Sequence, residues 1–219
     1  FYEFNFTYTT PPPCVPNAVA LTGFRFRNSF PKRTPPMSAT VYILLFRGVG
    51  GATQLPVKPL REKLADAGFD RVATCINSGN AIVRSERTRK EVVAEVTRIC
   101  REQFDFEKAI FAPTLKEWQV LVAHNPFPEG TESGKSLHAA WLEKVPDQER
   151  VSHLQEIAAS GREERFAVVG CVAYLHTPHG FGLSKLAGKF DKVIGVANTA
   201  RNWNTVRKLA ELAEAAARG

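Results

Sequence analysis

The densest group of side chains with a chemical use is Arg201-Asn202-Trp203-Asn204-Thr205, where a strand or loop meets the last helical segment. Free N–H groups and the positive end of a helix dipole suit an anion at such a place. Arg201 can hold phosphate or carboxylate through two parallel bonds. Asn202 and Asn204 can orient polar edges, and Trp203 offers a ring face to a base or sugar. The same residues have a structural use, Asn202 as a helix cap and Trp203 as a core anchor. Arg47-Gly48-Val49-Gly50-Gly51 leads from an apolar run into a helix. Its glycines let backbone approach a ligand, or merely supply the positive φ of a tight connection. Ser78-Gly79-Asn80 could complete a binding wall and is equally a hairpin turn. Ser184-Lys185 is no nucleophile–base pair, because adjacent helix residues diverge; Lys185 remains as an anion contact.

Other motifs carry less. Gly130-Thr-Glu-Ser-Gly134-Lys135-Ser136 imitates a phosphate loop, but only three residues separate its glycines, where the loop needs four. It follows Asn125-Pro126-Phe127-Pro128 and enters a strand, so no helix N-terminus is expected behind it. His176 and His179 have no third ligand nearby, so no metal and no cofactor is expected. No paired carboxylates accompany these clusters for general acid–base work. Trp141 and Tyr174 lack the aromatic pattern of an RNA-binding sheet and are assigned to the core.

The elements that must position these residues are legible from period and punctuation. Thr40 to Phe46, a continuous apolar run, predicts a buried strand. Pro56 opens a helix carrying Val57, Leu60 and Leu64, which Gly68 ends. Strands follow over Val72–Ile76 and Ala81–Arg84, then a helix opened by the Thr88/Glu91 capping box, then a strand over Lys108–Ala112. A second box, Thr114/Glu117, opens a linking helix. The order then recurs: a strand over Leu137–Glu143, a helix lined by Val151, Leu154 and Ile157 and closed by Gly161, a hairpin about Gly170, a helix over Ser184–Ile194, a brief strand over Val196–Thr199 and a last helix from about Asn202. The predicted class is α+β, two ferredoxin-like (βαββαβ) halves packed together with additional helices, spanning about 37–124 and 137–219.

Composition sets the frame. The 219 residues, 44% hydrophobic and 23% charged, suit one generous domain or two small ones. Residues 1–36 hold half of the 14 prolines and +3 of the net charge of +7. They read as a disordered or spurious extension, with the domain starting near Met37. That leaves a modest basic excess and a weak pull toward nucleic acid. Cys14, Cys75, Cys100 and Cys171 form no C-x-x-C pair and are expected to be reduced thiols of a cytoplasmic protein. No apolar run is long enough for a membrane span, so no membrane partner is expected.

Taken together, "LLFRGVGG" at 44–51, "SGN" at 78–80, "NPF" at 125–127, "LHAAWL" at 137–142, "YLH" at 174–176, "SKL" at 184–186 and "RNWNTVRKL" at 201–209 resemble the bacterial domain of unknown function 1697 family. The resemblance runs from about Met37 to the end. It implies the duplicated α+β fold and no established activity. The loop after Arg47 is shorter here than the family's R-G-I-N-V-G-G and lacks its Asn; His179 stands where an acid is frequent.

Three readings of function stand on these residues. The first is a cytoplasmic binding protein for an anionic, phosphorylated ligand, a nucleotide or nucleic acid, held by Arg47, Gly48, Gly50, Gly51, Ser78, Asn80, Lys185, Arg201, Asn202, Trp203 and Asn204. The second is an enzyme on a phosphorylated or carboxylated small molecule, with no assigned base. The third is a scaffold whose polar clusters only cap and turn.

Overall fold

The computed structural model describes residues 39–49, 55–75, 79–161 and 163–218. The expectation for residues 1–36 therefore lies outside the described residues, as do Gly50, Gly51 and Ser78. The first half runs β1 (Thr40–Phe46), α1 (Val57–Asp66), β2 (Asp70–Cys75), β3 (Asn80–Ser85), α2 (Arg89–Phe104) and β4 (Ile110–Phe111). The linking helix α3 is Leu115–Ala123. The second half runs β5 (Leu137–Leu142), α4 (Gln148–Ala159), β6 (Arg165–Val169), β7 (Val172–His176), α5 (Lys185–Ile194) and β8 (Asn198–Asn202), before α6 (Trp203–Arg218). Each half forms a four-stranded sheet, in the orders β2-β3-β1-β4 and β6-β7-β5-β8. All the strand pairs are antiparallel. The same βαββαβ order and the same strand order in both halves is the ferredoxin-like arrangement twice over.

Three cores explain why the strands read as they do. Val41, Ile43 and Leu45 of β1 face a central core that also takes Tyr174 and Ala139 of the second sheet, Trp118 and Leu121 of α3, and Val206 and Leu209 of α6. Tyr42, Leu44 and Phe46 face the other way, onto Leu60 and Leu64 of α1 and Val92 and Val96 of α2. Strand β1 is thus buried on both faces, so it shows no polar alternation. In the second half, Ala140 and Leu142 pack on Leu154 of α4 and on Leu186 and Phe190 of α5. The layers run from α1 and α2, through the first sheet, α3 with α6, and the second sheet, to α4 and α5.

Two buried hydrogen bonds pin the central layer. Trp118 Nε1 donates to the Val206 carbonyl at 3.1 Å, and the Tyr174 hydroxyl donates to the Leu121 carbonyl at 2.7 Å. Burial raises the pKa of that tyrosine, which keeps it protonated. Both capping boxes form as expected. Boundaries differ most at two strands. The last strand lies at Asn198–Asn202 rather than 196–199, because its backbone pairs residue by residue with Leu142–His138 of β5. The fourth strand is only Ile110–Phe111. Cys75 and Cys100 are buried cysteines outside any disulfide, whereas Cys171 is disulfide-bonded, against the expectation that all four are reduced.

His138 on β5 stacks on Phe181 with ring centroids 3.9 Å apart. Its Nδ1 is buried without a hydrogen-bond partner. Burial pushes its pKa down to about 4, so the fold holds the neutral ring. The unfolded chain takes up that proton first, near the ordinary pKa of about 6.5. Stability from this group is therefore full above about pH 6.5 and is lost as pH falls toward 4, by about 3 kcal/mol. Urea unfolding of wild type and His138→Gln at pH 7 and pH 4.5 checks this. The variant should show the flatter pH dependence; equal slopes contradict it.

Candidate functional site

The ends of β1, β3 and β8 meet where the two halves touch, and Arg201 is the point of contact. Strand β8 presents Arg201 on the face it shares with Ala139 and Trp141 of β5, toward the first sheet. Ala139 is the residue paired with Arg201, and its small side chain leaves the guanidinium room. Nε donates to Asn80 Oδ1 at 2.7 Å, across 121 residues of chain. Nη1 donates to Thr199 Oγ1 at 2.7 Å and to the Ala200 carbonyl at 2.8 Å. Nη2 donates to the Phe46 carbonyl at 2.9 Å and faces the Gly79 carbonyl at 3.5 Å. Every partner is a neutral oxygen. Burial lowers the Arg201 pKa to about 10, which still leaves it charged at neutral pH.

The neighbouring first-half residues are shaped to receive it. Asn80 is 2% exposed at the start of β3. Gly79 has φ +61°, and a Cβ there would lie 2.5 Å from the Val49 side chain. Its carbonyl also accepts from Phe46 N at 3.1 Å. Gly48 has φ +64°, and its carbonyl faces Lys108 Nζ at 3.4 Å. Arg47 stands outward, its side chain 39% exposed, and reaches Asp191 of α5 at 3.5 Å. Asp191 Oδ1 in turn accepts from Asn198 Nδ2 at 2.9 Å. Arg47 and Arg201 therefore both sit at the junction, one open to solvent and one inside.

The other expected residues are placed elsewhere or otherwise engaged. Trp203 is 3% exposed and packs in the central core, so its ring has no open face to stack on a ligand. Asn202 accepts from Thr205 N at 2.9 Å and caps α6. Lys185 is exposed at the start of α5, on the face of the second sheet opposite Arg201. Asn204 ties down the loop before β5: its Nδ2 donates to the Ser133 carbonyl and its backbone N–H to the Gly134 carbonyl, each at 3.3 Å. The expectation that no helix N-terminus lies behind "GTESGKS" is thus corrected. The α6 terminus packs against that loop through tertiary contact, and the Gly134 carbonyl occupies the N–H an anion would use. Asp191 had no signal in the sequence; on "KFDK" it reads as ordinary surface charge. Among the described residues no group of three His, Cys, Asp or Glu side chains is placed to hold a metal.

Residues 39–174 match the family model described as Protein of unknown function (DUF1697). The chain belongs to the DUF1697 family. Among solved structures, the conserved bacterial protein SP0830 from Streptococcus pneumoniae is similar at 18% identity, with a TM-score of 0.64 over 81% of this chain and 99% of that one. At that identity the likeness is one of fold. No curated protein matches the chain. The DUF1697 match ends within β7, so β8 with Arg201 lies beyond it.

Removing the guanidinium strands several buried acceptors at once. Arg201→Ala should destabilise the protein by about 2–4 kcal/mol, and Arg201→Lys, which keeps the charge but not the planar fork, by at least half of that. Arg47→Ala, at an exposed pair, should cost about 1 kcal/mol or less. Urea midpoints at pH 7 check the order. A midpoint for Arg201→Ala no lower than that of Arg47→Ala contradicts the assignment.

Proposed function

We propose that this is a bacterial binding protein whose inter-half junction takes an anionic, phosphorylated ligand, a nucleotide or nucleic-acid segment. The observation that carries the reading is a mostly buried guanidinium held only by neutral oxygens, one of them the carbonyl of Phe46, the residue before the half-exposed Arg47. Among the described residues no carboxylate is within ion-pair reach of Arg201. Its charge is therefore uncompensated in a region of reduced dielectric, where an anion gains more than it does in water. Arg201 acts here through its field and Arg47 through contact. Asn80 positions the field-bearing group, and Gly48 keeps the adjoining backbone close. Lys185, Asn202, Trp203 and Asn204 drop out of the direct contacts.

One observation favours the scaffold reading. All the donor directions of Arg201 are used inside the protein, so the cluster is complete as an inter-half lock without any ligand. The two readings separate in a thermal-shift titration with nucleotides, polyphosphate and short RNA. A ligand of the folded state raises Tm with its concentration, and a nucleic acid does so less as salt rises. The binding reading predicts a shift for wild type that Arg47→Ala abolishes while leaving the unliganded Tm within a few degrees. No shift with any of these anions contradicts it and leaves the lock.

A further inference from the structure

Asp191 gives the junction a built-in occupant. Its Oδ2 lies 3.5 Å from Arg47 Nη2, and its Oδ1 is fixed by Asn198 Nδ2 at 2.9 Å. Asn198 itself is 3% exposed, on β8 three residues before Arg201. The carboxylate is thus held from a buried anchor and offered across the boundary between the halves to the one arginine at the junction that faces solvent. Arg47 and Asp191 side chains are 39% and 65% exposed, and an ion pair that open is worth about 0–1 kcal/mol. It is cheap to separate, and the group that holds it belongs to the half opposite Arg47.

Resting on the anion-binding reading above, we infer that the Asp191 carboxylate is a resident stand-in for the anionic group of the ligand, and that an incoming phosphate binds by displacing it from Arg47. Asp191 sets the affinity threshold of the site. An anion enters only when its charge and hydrogen bonds at Arg47 exceed those of a single carboxylate, which favours polyvalent phosphates over simple carboxylates. Replacing Asp191 with Asn keeps an oxygen for Asn198 and removes the competing charge.

Calorimetric titration of the full chain with inorganic pyrophosphate tests this. Asp191→Asn should bind pyrophosphate about two- to fivefold more tightly than wild type, the fold-change that corresponds to removing an exposed pair. Asp191→Glu should stay near wild type, and Arg47→Ala/Asp191→Asn should lose the gain. Asp147→Asn changes net charge equally at the start of α4, where Asp147 pairs with Arg150, and should leave affinity unchanged. Binding by wild type with no gain in Asp191→Asn, or an equal gain in Asp147→Asn, overturns the displacement idea alone. Pyrophosphate binding by none of the variants overturns both it and the binding reading beneath it.

Discussion

The junction depends on one guanidinium placed between two sheets that share no strand. A planar group with five N–H donors can satisfy acceptors in several directions at once, and only arginine carries one. Arg201 uses that geometry to join its own strand, the Asn80 side chain and the Phe46 carbonyl. Each requirement constrains another residue. Ala139 stays small beside it, Gly79 takes a left-handed conformation so that its carbonyl turns inward, and Asn80 gives up solvent to accept. The apolar central layer supplies the bulk of the association between the halves; Arg201 supplies register, since a shift of either sheet would strand several polar groups.

That division explains what could be read from the chain. Elements fixed by local chemistry were legible: the doubly buried run at 40–46, both capping boxes, and the hairpin about Gly170. The repeated βαββαβ order followed from them. Strand β8 was legible only as a short, misplaced segment. "NTARN" lacks the apolar alternation of a strand, and its extended form is imposed by pairing with β5 and by the bonds of Arg201 across the interface. The same cause set Arg201, expected where a strand or loop meets the last helix, within a strand and facing inward. Gly134 against Asn204 is likewise a contact between distant segments with no local trace.

The expected site residues divide along that line. Those identified by type alone, Lys185 and Trp203, lie on an outer face and in the core. Those that converge, Arg47, Gly48, Asn80 and Arg201, do so because three strand ends meet at one place. Asp191 joins them from α5, a partner that only the packing of the second half could supply. The result is a junction with a fixed interior charge and an adjustable exterior one, in which stability and recognition rest on different arginines.

A double-mutant cycle between Arg201 and Asn80 measures the central interaction most directly. Urea unfolding of wild type, Asn80→Ala, Arg201→Lys and the double variant yields their coupling energy. A bond of 2.7 Å between a charged donor and a buried acceptor predicts coupling of about 1–2 kcal/mol. Additive losses, with coupling within about 0.3 kcal/mol of zero, would show that the halves are held without it.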